Sequence, residues 1–373
     1  MNKEKNKLGE QDFNLAIQKE REDGYNDILQ YTTPIGDERT RLTNFLHGVQ
    51  PVARTKMPGL NRDYHAHVFF TRPAIRLSYH NLTRSRKLAK LLNTRTNSLE
   101  RYVRCLLDPH LYFGESVMAT SSDTISAELR GLKSDLLNQY NPHMPPLSNG
   151  LLDLTGFPDP VLDVFSSKEG MRKEQYTWGD GINTINNIVQ LDVTFANVEE
   201  EVIPLIMDTW LEYISRVRTG DAWPYLELML GREIDYTTNI TTIITGEDNR
   251  SIKHIASTIG FPIANPQGAL FNVTASTPKS QENTTYNTRF QCFGMEYDDP
   301  ILAMEFNLRV AKFHPQLRPY LESKKIDMVE LSPAEYQSFG GLAIPFIDLK
   351  YNKLEWLISK DDYEIIKRHK DEK

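Results

Sequence analysis

Between residues 189 and 195 apolar and polar positions alternate, with Val189, Leu191, Val193 and Phe195 separated by Gln190, Asp192 and Thr194. A period of two puts the two sets on opposite faces, which predicts a half-buried β-strand. Asn197 then stands as a candidate helix cap. Glu199, Glu200 and Glu201 follow, where the positive end of a helix dipole favours acids. The period lengthens at this point: Val202, Ile206, Trp210, Tyr213 and Val217 fall on one helical stripe. Pro204 either kinks this helix or marks its first turn, which would move the start later. Arg216, Arg218 and Gly220 supply last-turn cations and a glycine stop. The pattern predicts a strand–turn–helix unit.

Further strands are predicted over residues 236–245, 251–259 and 270–275, with turn chemistry at Gly246-Glu247-Asp248-Asn249 and a Gly260-Phe261-Pro262 element between the last two. A longer strand, 284–297, alternates through Tyr286, Thr288, Phe290 and Cys292. Its apolar register then flips to Phe293, Met295 and Tyr297, which requires a bulge or burial on both faces. Upstream, strand pattern occupies 64–77. Leucine spacing predicts a helical stretch over 82–107, and a second helix is expected over 123–139 among the prolines of 108–150. The first 60 residues are polar and broken by Thr33-Pro34-Ile35-Gly36, Pro51 and Pro58-Gly59. They read as an arm that either grips a neighbour or lies loose. The C-terminal stretch holds a helix over 301–313, an apolar return at 342–349 and a charged helix near 361–370. The segments expected are therefore an arm (1–60), first core strands (61–79), a helical basic insertion (80–150), a β domain (151–300) and a C-terminal extension (301–373).

Composition bounds the function. The chain has 373 residues, 39% apolar and 25% charged, which fits a folded chain with room for more than one packing unit. A net charge of −7 advertises no general affinity for nucleic acid or anionic membrane. Cys105 and Cys292 lack any metal or redox spacing, so a disulfide scaffold is excluded and a reducing compartment expected. No apolar run reaches membrane-spanning length and no secretory signal is visible, so synthesis in the cytoplasm is expected. Nucleotide-binding, hydrolase and zinc-protease motifs are missing, and no catalytic residue, cofactor or metal is expected. His65 and His67 share a strand face and could hold a metal with His80 or Asp63. They could equally line a solvent or subunit face, which is the reading adopted. Charge concentrates locally: Arg84, Arg86, Lys87, Lys90, Arg95, Arg101 and Arg104 face a single acid, Glu100. Such a patch suits an acidic neighbour subunit, a solvated face or nucleic acid.

Taken together in order, residues 175–300 resemble the tube proteins of contractile-tail phages and the baseplate proteins that initiate the tube. The resemblance rests on Leu191-Asp192-Val193-Thr194-Phe195, the acids Glu199 to Glu201, the helix around Trp210, the polar turn 246–250, Gly260-Phe261-Pro262, and the run from Thr284-Thr285-Tyr286 through Phe290 and Phe293 to Tyr297. It covers about a third of the chain, and each short motif is weak outside the ordered set. The resemblance implies an α+β protein: a small antiparallel β-sandwich, barrel-forming on assembly, with a flanking helix and a long hairpin. It also implies a homo-hexameric ring that stacks on neighbouring rings in the virion. The partners would be tube, hub, sheath or wedge proteins, with DNA or a tape-measure protein in the lumen. Val189, Leu191, Val193, Phe195, Trp210, Phe261, Pro262, Tyr286, Phe290 and Tyr297 would form its core. The chain is much longer than simple tube proteins, which points to a specialised ring such as a tube initiator. The alternative is a head–tail neck or terminator adaptor that touches DNA through residues 84–104.

Overall fold

The computed structural model describes residues 65–113, 131–182, 188–198, 200–271, 284–314, 317, 328–339 and 341–371. The chain divides into two units, residues 1–64 and 65–373, and the described residues all lie in the second. The expected arm, Asp63 and Glu199 lie outside them.

Eleven strands can be placed among the described residues. β1 (His65–Phe70), β2 (Leu151–Thr155), β5 (Val189–Ala196), β6 (Thr238–Thr245), β7 (Ile252–Pro262) and β8 (Thr285–Tyr297) form one sheet in the order β1-β6-β7-β8-β5-β2. Every pairing is antiparallel. β3 (Leu162–Ser166) and β4 (Thr177–Ile182) make a separate hairpin. β9 (Met328–Glu330), β10 (Ile344–Asp348) and β11 (Lys353–Ser359) make a small third sheet. The helices are α1 (Tyr79–Thr83), α2 (Leu99–Leu107), α3 (His110–Phe113), α4 (Pro145–Asn149), α5 (Val202–Thr219), α6 (Leu226–Gly231), α7 (Gln267–Leu270), α8 (Pro300–Phe313), α9 (Tyr336–Phe339) and α10 (Lys360–Asp371).

The main sheet curls until it nearly closes. Phe70 on β1 lies 5.9 Å from Phe195 on β5, four strands away in the sheet order. In a flat sheet, at about 4.8 Å per strand, the two would stand about 19 Å apart. The gap between the edges is bridged by the segment around α4: His143 pairs with Thr71 beside β1, and the Gly150 carbonyl accepts from Ala196 N–H on β5. The strand alternation predicted over 189–195 is realised, with Leu191, Val193 and Phe195 buried inside the curl and Gln190 and Asp192 exposed outside.

α5 lies against the inside of the curl and supplies Ile206, Trp210 and Tyr213, each fully buried. Trp210 meets the Phe290 ring edge-on at 6.3 Å and donates its indole N–H to the Tyr236 carbonyl at 2.8 Å. The helix begins at Val202 rather than behind an Asn197 cap, which puts Pro204 in the first turn where no backbone donor is needed. Gly220, at φ +81°, ends it as expected, and Asp221 N–H donates back to the Arg216 carbonyl.

The opposite face of β1, β6 and β7 is also covered. Phe69, Ile243 and Ile255 pack with Leu302, Phe306 and Val310 of α8 and with Phe346 and Leu354 of the third sheet. The buried Asn307 side chain both donates to the Ile347 carbonyl and accepts from its N–H, which satisfies β10 on that edge. The register flip predicted in 284–297 is a bulge: β8 carries one extra residue opposite Ser257 and Ile259, and Gly294 takes φ +64° there.

Two helix expectations are corrected. Residues 82–107 do not form one helix; α1, a 3-10 turn at Leu88–Leu92 and α2 are separated by loop, because Ser78 and Ser98 each cap a new start. The described part of 123–139 is turn and loop, with the Ser134 hydroxyl accepting from Leu136 N–H and donating to the Thr96 carbonyl instead of supporting a helix. Leu270, expected to open a strand, ends the short α7, and 272–275 lie outside the described residues.

Candidate functional site

Among the described residues, the surfaces left over after packing are the outer face of β2, β5 and β8, the outer edge of β2, the β3–β4 hairpin, and the basic segment. The outer face is polar because alternation puts the apolar partners inside. Asp192 pairs with Arg289 at 2.9 Å and Gln190 donates to Gln291 at 3.2 Å, so neighbouring strands are tied by side chains on the open side. Among the described residues β2 ends the sheet at this side and pairs only with β5. Gly156, at φ +104°, closes it; a Cβ there would stand 2.5 Å from the Gln190 carbonyl oxygen, so only glycine fits.

The hairpin β3–β4 follows β2 and is exposed along its whole first strand. Phe165 and Trp178 pack with their rings tilted and 4.6 Å apart yet remain 50% and 54% exposed, and Leu162 and Val164 are exposed as well. Apolar side chains at such exposure in one continuous element mark an interaction surface. The expected core set omitted this hairpin. The signal was present as two short apolar runs, 161–165 and 176–178, around the charged Lys168-Glu169-Gly170 turn.

All ten residues expected in the core can be located. Leu191, Val193, Phe195, Trp210, Tyr286 and Phe290 are buried in the main core, and Pro262 is buried at the end of β7. Val189, Phe261 and Tyr297 are partly buried against it, with Phe261 edge-on to Tyr236 at 5.4 Å and the Tyr297 hydroxyl donating to the Pro158 carbonyl.

The seven cations of the basic segment are dispersed. Lys90 reaches Asp208 of α5 at 3.1 Å, and Lys87 lies 3.9 Å from Asp208 and 3.8 Å from Glu212. The Arg84 guanidinium stacks on Trp223 at 4.7 Å. Arg101 donates to the Lys133 carbonyl, and Arg104 is buried with its guanidinium on the Leu77 carbonyl. Arg86 and Arg95 are exposed. Of the histidines, His67 bonds Asn249 at 2.7 Å, His65 is exposed, and His80 stacks on Trp223.

A buried polar layer, invisible in the sequence, joins the helical region to the barrel. Asp108 accepts from Leu77 N–H at 2.7 Å and from the Tyr225 hydroxyl at 2.8 Å, and burial pushes its carboxyl up to about 6. Asp235 accepts from the Tyr213 hydroxyl and is likewise pushed up to about 6 by burial. The Arg72 guanidinium, lowered to about 10 by burial, donates to the carbonyls of Cys105, Leu106 and Gln139. Each acid faces a tyrosine hydroxyl within the packed interior, so these groups serve cohesion.

Among the described residues no helix is long and apolar enough to cross a membrane, and no cluster of three or more His, Cys, Asp or Glu side chains could hold a metal ion. The sequence profile of a family described as "Putative phage tail tube protein" matches residues 10–371. No curated protein matches the chain.

Proposed function

Because the chain belongs to the phage tail tube protein family, a structural component of the phage virion, we propose that it forms a ring of the tail tube or of the baseplate-proximal tube in a contractile-tail phage. The ring is homo-hexameric, stacks on neighbouring rings, and encloses the channel through which DNA or a tape-measure protein passes. Its work is mechanical rather than catalytic. One observation carries this reading: a curled antiparallel sheet whose polar outer face and terminal strand β2 are left uncovered by the other described residues. An open strand edge invites another strand, and closed rotational symmetry is the arrangement that satisfies every such edge. A polar face with paired charges such as Asp192 and Arg289 suits a wall past which nucleic acid slides. The C-terminal layer of α8 and the third sheet supports placement as a specialised ring, since it thickens one side of the barrel.

Sedimentation and electron microscopy of the purified full chain test this: closed rings or tubes support it, and a protein that stays monomeric at high concentration refutes it. The neck-adaptor alternative draws on residues 84–104. It requires DNA retention that falls steeply with salt, with a log–log slope near the number of phosphates contacted. With Lys87 and Lys90 beside α5 acids and Arg104 buried, the tube reading expects a shallow slope.

A further inference from the structure

The seam between α8 and the barrel holds histidines among its aromatic side chains. His143, which pairs with Thr71 beside β1, is 4% exposed. Its ring lies 4.8 Å from Phe69 of β1 and stacks on Phe306 of α8 at 5.3 Å. Neither ring nitrogen has a hydrogen-bond partner among the described residues. His314, which follows the last turn of α8, is also buried; it packs on Tyr140 at 5.4 Å, and its Nδ1 is likewise unpartnered. On the third-sheet side His67 meets Trp356 of β11 edge-on at 6.1 Å and bonds Asn249. Arg309 of α8 is the charge that faces His143, and it pairs with Glu305 at 2.8 Å and lies near Glu296. Asp362 of α10 faces His314, and His65 faces His67. Arg72 lies over the Phe313 ring at 5.3 Å.

A neutral imidazole can rest between two rings at the cost of its lost hydrogen bonds. An imidazolium there adds a charge and a second N–H donor, with no acceptor for either. We propose that this seam is an acid-labile joint: protonation of His143, aided by His314 and His67, releases α8 from the barrel and uncovers Phe69, Ile243 and Ile255. Burial lowers His143 to about 3 and also lowers His314 and His67. A base held below its free pKa stabilises the docked form above pH 6.5, and that contribution is lost as pH falls through 6.5. At pH 5, freeing His143 alone to 6.5 favours the open form by about thirty-fold over pH 7.5. Arg309 works for release at His143, whereas Asp362 works against it at His314. The opposite end of α8 is held: His254 bonds Asp298 at 2.9 Å, a contact that becomes an ion pair on protonation. The helix therefore opens from its C-terminal end. In the layer between the helical region and the barrel, Asp108 and Asp235, raised to about 6, gain as pH falls and offset His110, lowered to about 4. Loosening is thus confined to the α8 seam. The joint lies within one copy of the chain, so the inference goes beyond the tube reading and does not depend on it.

Hydrogen exchange of the full chain at pH 7.5 and pH 5, corrected for the intrinsic chemical rate, tests this. Protection of the α8 amides should fall at least ten-fold at pH 5, while the amides of β5 and β8 keep theirs. His143→Phe fills the same space with a ring that cannot be protonated, and should keep most of the α8 protection at pH 5. NMR of histidine-labelled wild type gives a reading that needs no variant: the His143 ring should stay neutral until α8 protection is lost. Equal α8 protection at both pH values overturns the joint. So does an equal loss in His143→Phe, or a His143 ring that titrates near pH 6.5 with α8 still protected. None of these outcomes bears on ring assembly, which electron microscopy reads separately.

Discussion

Trp210 joins a helix, a strand and a loop at one point, because its ring fills the curl against Phe290 while its N–H satisfies the Tyr236 carbonyl. Replacing Trp210 with alanine removes both the filling and the donor, and should cost about 3–5 kcal/mol in denaturant unfolding; a loss under about 1 kcal/mol would place the ring outside the core. Asp108 makes a different prediction. Burial raises its folded-state pKa from 3.8 to about 6, so its contribution to stability is complete below pH 4 and is lost as pH rises through 6. Asp108→Asn stays neutral throughout. Its stability relative to wild type should therefore rise by about 2 kcal/mol between pH 4 and pH 7. Buried His110 and His143, lowered by burial to about 4 and about 3, titrate in both proteins and cancel from that difference. A gap that does not change with pH would mean that Asp108 is solvated.

At the scale of elements, the sequence exposed what depends on local period and hid what depends on distant partners. The alternation in β5, the stripe of α5, the Gly220 stop and the β8 bulge were legible because each is written in consecutive residues. The helical region was misread as one element: leucine spacing continues through 82–107, while Ser78 and Ser98 restart the chain by capping. Its charge looked like a contact patch because the acids that meet Lys87 and Lys90 lie about 120 residues later, on α5. Those pairs are solvent-exposed on the lysine side, so the double change Lys87→Ala and Lys90→Ala should cost no more than about 1 kcal/mol, read as a small fall in melting temperature. The β2 edge predicts the reverse balance. Leu152 is 59% exposed, so Leu152→Lys should leave monomer stability within about 0.5 kcal/mol. It should nevertheless raise the concentration needed for ring formation, as edge lysines oppose strand addition. Unchanged assembly of that variant, followed by sedimentation velocity, would move the lateral contact away from β2.

For the described residues, the predicted α+β class and the antiparallel sheet are found, and the sheet curls until the segment around α4, paired beside β1, leads into the start of β2. Among the described residues, the C-terminal stretch packs as a second layer on β1, β6 and β7 and does not cover the outer face of β5. Packing among the described residues thus leaves one face of the sheet covered and the other polar and open, a division that no single segment of sequence displays. The account rests on self-assembly of this available side. Electron microscopy of the purified full-length chain, over a concentration series and without other virion proteins, tests it most directly. The expected images show rings of one diameter with an open centre, stacking into short tubes as concentration rises. A field of single particles at every concentration, with sedimentation showing monomer throughout, would contradict it.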